Sequence, residues 1–202
     1  MNNVISLLLS AVITTNTALA APKPDNFIQN TTEDVVLNVP FIHQVDDLPE
    51  DKKAEIRSSA CGPSALTMVF NYMGKDLSLY EVIEKLPTSV YIKGSMFYKL
   101  NDGPESFGLK AVSFKNSPKA IYDHLKNQKP IVMNVQNYDG ITGHAIVVVG
   151  IKGFDGTTAK SLVVHDPWTT AYKEYEYVTP SMLKQPEGYN LPIGTIDPFI
   201  VE

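Results

Sequence analysis

The residues of this chain best suited to chemistry are its single cysteine, Cys61, and its four histidines, His43, His124, His144 and His165. A thiolate attacks carbonyl carbon, and an imidazole beside it can take a proton and return it. Cys61 is followed by Gly62-Pro63-Ser64, and beyond them Leu66, Val69, Phe70 and Met73 recur at helical spacing until Gly74. Proline suits a first helical turn, where its missing N–H has no partner to lose. Cys61 therefore stands immediately before a helix, whose unpaired N–H groups and positive dipole end face its sulfur. Bringing a free thiol from about 8.5 to about 7 needs roughly 2 kcal/mol. A helix terminus supplies about 0.3 to 1 kcal/mol, with about 2 as the favourable limit. An imidazolium about 4 Å away contributes roughly 4 kcal/mol at an effective dielectric of 20, before desolvation. A reactive Cys61, as opposed to one packed inertly under the helix, thus requires a histidine partner.

The pair Asp155-Gly156 between two hydrophobic runs signals a hairpin. Folding the chain about it sets His144 opposite Asp166, on one face, with Cβ atoms about 4.5–5.5 Å apart. His165 then points to the other face. Gly143 leaves room beside the imidazole of His144. Asp166-Pro167 also reads as a strand-ending turn, and that alternative stays open. His124 falls in a helix as a surface residue, and His43 stands at a strand end before Gln44. The amide of Gln44 and the backbone N–H of Cys61 are the donors available to an oxyanion.

These groups must be positioned by a mixed set of elements. Val35 to Ile42 has strand-like content, with Pro40 marking an edge or an end. Asp46 to Ser59 is polar and reads as an exposed insertion or a frayed helix. Ser78-Leu79-Tyr80-Glu81 is a capping box that starts a helix running to about Leu86. Residues 94–101 read as a third short helix, and Ser117-Pro118 opens another that ends near Gln128. Strands are expected at 130–136, 144–151, 162–165 and 172–177. The unbroken run Ile146-Val147-Val148-Val149 marks a central strand buried on both faces. Helices first and an antiparallel sheet after them make an α+β domain.

Residues 4–15 are apolar and Ala18-Leu19-Ala20 supplies a small-residue cleavage pattern, so residues 1–20 read as a signal peptide. Residues 21–34 read as a flexible leader and 35–202 as one domain, since about 180 residues suit a single core. The expectation is an exported protein, secreted, periplasmic or in the cell envelope, without stable membrane insertion once the signal is removed. A net charge of −5 with no concentrated basic face argues against nucleic acid. A lone cysteine cannot pair within the chain, and in an oxidising compartment a free thiol is a liability unless its reactivity is used. No cofactor and no metal are expected, and the chain is expected to be a monomer acting on a peptide or protein. His165-Asp166 as a metal-phosphohydrolase pair would need further His and Asp ligands on helices, whereas it precedes Pro167 at a strand end.

Val39-Pro40-Phe41-Ile42-His43-Gln44, Ala60-Cys61-Gly62-Pro63-Ser64-Ala65-Leu66, Gly143-His144-Ala145-Ile146 and Val164-His165-Asp166-Pro167, in that order, resemble the double-glycine (bacteriocin-leader) peptidase-like family of papain-like cysteine peptidases. The resemblance implies a papain-like cysteine peptidase fold, α+β, with N-terminal helices packed on an antiparallel β-sheet. It also implies a catalytic set in which Cys61 is the nucleophile, His144 the base, Asp166 the orienting acid and Gln44 the oxyanion-hole residue. The function that follows is a secreted thiol hydrolase cleaving peptide or amide bonds through an acyl-enzyme. The alternatives are an inactive peptidase-like binding protein of the cell envelope and an acyltransferase on the same triad.

Overall fold

The computed structural model describes residues 33–202, so the signal segment 1–20 and most of the leader 21–34 lie outside the described residues. Local signals start several helices. The Ser78 hydroxyl accepts from the Glu81 N–H at 3.2 Å while the Glu81 carboxylate accepts from the Ser78 N–H at 2.8 Å. The Ser117 hydroxyl accepts from the Ala120 N–H at 3.1 Å with Pro118 in the first turn. In chain order the helices are α1 (Glu50–Ile56), α2 (Cys61–Tyr72), α3 (Leu79–Lys85), a 3-10 helix (Leu100–Phe107) and α4 (Pro118–Lys126). In α2 every residue from Cys61 to Phe70 is buried. It is a central helix, buried all round, packed across the sheet.

The strands are β1 (Val35–Val36), β2 (Tyr91–Ile92), β3 (Met96–Phe97), β4 (Ala111–Ser113), β5 (Ile131–Val135), β6 (His144–Lys152), β7 (Ser161–Asp166), β8 (Thr170–Thr179), β9 (Met182–Lys184), β10 (Asn190–Pro192) and β11 (Phe199–Val201). Nine of them form one sheet in the order β10-β9-β8-β7-β6-β5-β11-β4, with β1 added beside β6. All its pairings are antiparallel. β6 is the axis. Its first half pairs with β5, from Val135↔His144 to Ile131↔Val148. β1 takes over the same edge at Gly150 and Ile151, and the Leu37 N–H continues the ladder to the Val149 carbonyl at 2.7 Å. The Ile146–Val149 run is fully buried.

The sheet is larger than the sequence suggests, and α4 interrupts the strands. Four short segments, Ala111–Ser113, Met182–Lys184, Asn190–Pro192 and Phe199–Val201, pair as strands without an alternating pattern long enough to announce them. Residues 94–101 are not a helix. Gly94 has φ 72° and closes a tight turn, the Ser95 N–H donating to the Ile92 carbonyl at 3.0 Å, so β2 and β3 form a hairpin that leads into the 3-10 helix. Asp46–Ser59 contains the ordered helix α1, with Glu50 and Asp51 in its first turn and Leu48 and Ile56 buried. Of Val35 to Ile42 only the first residues join the sheet.

Candidate active site

Three side chains meet at the ends of three elements. Cys61 is the first residue of α2, within the helix and not before it, after a turn in which the Ser59 N–H donates to the Ile56 carbonyl at 2.9 Å. His144 opens β6 and Asp166 closes β7. The β6–β7 pairing runs Val147↔His165 and Val148↔Val164, with a bulge before Gly150. His144 and Asp166 are therefore diagonal neighbours, not the directly opposed pair expected from a two-residue turn at Asp155-Gly156. The Asp155 carboxylate instead accepts from the Thr157 and Thr158 N–H groups at 2.8 and 2.7 Å, holding a wider loop. The offset is even, so both side chains stay on one face.

The Nε2 of His144 is 2.8 Å from Oδ1 of Asp166, with 3% and 0% of these side chains exposed. The other ring nitrogen remains for Cys61, which lies near enough for its charge to act on the ring. Burial disfavours the imidazolium, but the hydrogen bond to Asp166 and the charge at Cys61 and Asp166 raise His144 to about 9. Burial likewise disfavours the Asp166 carboxylate, yet His144 and the hydroxyls of Tyr138 and Tyr175 hold it well below the usual range.

Neither tyrosine's role is announced by the linear chain. Tyr138 and Tyr175 donate to Oδ2 of Asp166 at 2.5 and 2.8 Å, and the Trp168 N–H donates to Oδ1 at 3.1 Å. The Tyr138 ring also stacks on His144, with centroids 4.1 Å apart and planes at 28°. Both phenols are raised, first by burial and then by the Asp166 charge, so they stay protonated donors. Alternation along β8 marks Tyr175 as inward-facing, but nothing local announces Tyr138.

Gln44 is buried, and its backbone N–H donates to the Pro167 carbonyl at 2.8 Å, beside the acid. Its side-chain Nε2 donates to the Arg57 carbonyl at 2.5 Å, while Oε1 is buried without a partner. The remaining histidines are occupied elsewhere. His165 Nδ1 accepts from the Tyr172 N–H at 3.1 Å and its Nε2 donates to the Val39 carbonyl at 2.9 Å. Burial lowers it, and with both nitrogens on backbone it is no metal ligand. His43 Nδ1 accepts from the Asp46 N–H at 3.1 Å, which leaves Nε2 to donate to the Trp168 carbonyl at 3.2 Å. His124 packs in α4 against Phe114, centroids 4.4 Å apart. Among the described residues no group of three or more His, Cys, Asp or Glu side chains is placed to hold a metal ion. None of their helices is long and apolar enough to cross a membrane.

Cys61, 5% exposed, borders a cleft of about 340 Å³. One wall is the β2–β3 hairpin, tied to Ser59, whose Oγ meets the Tyr91 hydroxyl at 2.8 Å and accepts from the Gly94 N–H at 3.0 Å. Phe97 lies so close to Gly62 that a Cβ there would stand 2.9 Å from its ring. Ile141-Thr142-Gly143, the segment that leads into β6 at His144, lines it too, with Asn134 and Gln136. Asn134 Nδ2 donates to the His144 carbonyl at 3.2 Å, and Gly194 packs against it.

With this geometry in place, a family model described as Peptidase_C39 like family matches residues 36–190, most of the chain. No curated protein matches the chain.

Proposed function

The chain belongs to the peptidase C39-like family, which implies a papain-like fold and a cysteine peptidase-like protein, and from that premise we propose an active, exported thiol hydrolase of peptide or amide bonds. The observation that carries the proposal is the buried His144 ring, hydrogen-bonded to Asp166 at 2.8 Å and near enough to Cys61 for the charges to interact. The thiolate attacks the scissile carbonyl, forming a C–S bond, and the carbonyl electrons move to oxygen. The Cys61 N–H at the helix start is aimed at that oxyanion. Gln44 adds a donor through its second amide hydrogen or by turning away from Arg57. The intermediate collapses with loss of the C–N bond, and His144 gives its proton to the leaving amine. His144 then takes a proton from water as the hydroxide attacks the thioester, which releases the acid and the thiolate. Asp166, with Tyr138 and Tyr175 on its second oxygen, keeps the ring oriented throughout.

Export through residues 1–20 is part of the same proposal. Replacing Cys61 with Ala is expected to abolish both peptide turnover and labelling by a peptidyl electrophile, and turnover that survives the replacement would remove the hydrolase. The low exposure of Cys61 and the engagement of Gln44 with Arg57 favour a second reading, an inactive peptidase-like binding protein. A folded protein whose Cys61 resists iodoacetamide at neutral pH would support that one instead.

A further inference from the structure

The cleft beside Cys61 has an uneven chemistry. Met96, Phe97, Tyr98, Ile141 and Ile196 contribute apolar surface, and Ser95, Thr142, Asn134 and Gln136 contribute neutral polar groups. Cys61 apart, no ionisable side chain but the phenol of Tyr98 lines it among the described residues. That is unusual for a chain with 17 Lys and Arg and 22 Asp and Glu. Lys93, on the same hairpin, is engaged with Glu84. Met96, Tyr98 and Ile141 are 50%, 48% and 44% exposed. Gathered along one cleft, these exposed apolar side chains can cover the apolar side chains of a bound peptide. A charged side chain entering here would give up its water with no counter-charge to meet it. The volume falls within the range that holds small ligands.

We propose that this cleft binds a peptide through uncharged, apolar side chains next to the bond that Cys61 attacks. The position of that bond rests on the hydrolase reading. The preference itself follows from the cleft walls, whichever way the chemistry turns out. Asn134 contributes no discrimination, since its Nδ2 holds the His144 carbonyl and its Oδ1 accepts from Gln136 Nε2 at 3.1 Å. Selectivity comes from the apolar lining.

The test separates binding from turnover. Dye-labelled hexapeptide amides whose two central residues are Leu, Lys or Asp are titrated against the Cys61→Ala protein by fluorescence anisotropy. The Leu peptide is expected to bind at least about tenfold more tightly than either charged peptide, since a buried unpaired charge costs more than the roughly 1.4 kcal/mol that tenfold represents. In the Met96→Glu and Ile141→Glu variants the order of Leu and Lys should invert. Equal or tighter binding of the Lys or Asp peptide, no binding of the Leu peptide, or unchanged discrimination in both variants would overturn the proposal. The intact enzyme is then offered the same peptides. Leu-selective binding without cleavage leaves this inference standing and removes the hydrolase. Cleavage of all three at similar rates does the reverse.

Discussion

His144 and Asp166 meet at 2.8 Å although they stand two residues out of register on neighbouring strands. A diagonal pair is wider than a directly opposed one, about 7–8 Å between backbones, and an imidazole and a carboxylate together span it. The geometry leaves Oδ2 of Asp166 free for other donors, and Tyr138 and Tyr175 take it. The acid thus accepts four hydrogen bonds, including the Trp168 N–H. It works as an ionised anchor.

Asp166→Ala is expected to lower stability by about 3–5 kcal/mol, because it strands an imidazolium and two buried hydroxyls without their acceptor. Peptide turnover should fall with it. Urea unfolding of the variant against the parent measures the first effect, and a change under 1 kcal/mol would contradict the anchoring role.

Tyr138 separates two contributions. Tyr138→Phe keeps the stack on His144 and removes one donor to a charged acceptor, a loss of about 1.5–3 kcal/mol. The reduction should fall on kcat with KM little changed, by about tenfold or more. Tyr138→Ala removes the stack as well and should be slower still. Tyr175→Phe tests the donor alone, and if it matches the parent while Tyr138→Phe does not, hydrogen bonding to Asp166 is not what matters.

Two titrations frame the pH response. His144 is raised from 6.5 to about 9, so its contribution to stability is complete below 6.5 and is lost as pH climbs through about 9. Asp166 is lowered, so its contribution holds above the ordinary aspartate value of 3.8 and disappears as pH falls below it. Thermal melts from pH 6 to 10 should show a decline that flattens in His144→Gln, and the rate of Cys61 alkylation should change along the same alkaline limb. An identical slope in parent and variant would count against the assignment.

Gly194→Ala should be costly for a steric reason. An added Cβ would lie 1.6 Å from Oδ1 of Asn134, the residue whose amide holds the His144 carbonyl. Displacing it is expected to cost about 1–3 kcal/mol, as overpacking does elsewhere. Differential scanning calorimetry that finds the two proteins equally stable would show the site to be more yielding.

If residues 1–20 direct export, the protein recovered from the medium or periplasm of a secreting host should begin at Ala21. Intact-mass measurement decides it. A chain retained at full length in the membrane fraction would turn the segment into an anchor.

Much of the candidate site is legible in the sequence. Cys61 announces itself as an unpaired cysteine at a helix start, and Gly143-His144 and Asp166 flank two strands that a loop folds back on each other. The capping residues Ser78, Glu81 and Ser117 name their helices because caps act within one turn. Residues 94–101 carry a helical signal that the fold overrides, since a contact that stabilises the hairpin, the Gly94 N–H on the Ser59 hydroxyl, comes from elsewhere in the chain.

The sequence alone determined which residues are candidates for chemistry, and on which elements they ride, because periodicity, capping and alternation are local properties. Tertiary structure alone decided how they are tuned: the strand offset between His144 and Asp166, the tyrosines on the acid, the turn of Gln44 towards Arg57 and the uncharged walls of the cleft. Each of these depends on side chains distant in the chain meeting through side-chain packing and strand register, which short-range preferences do not encode.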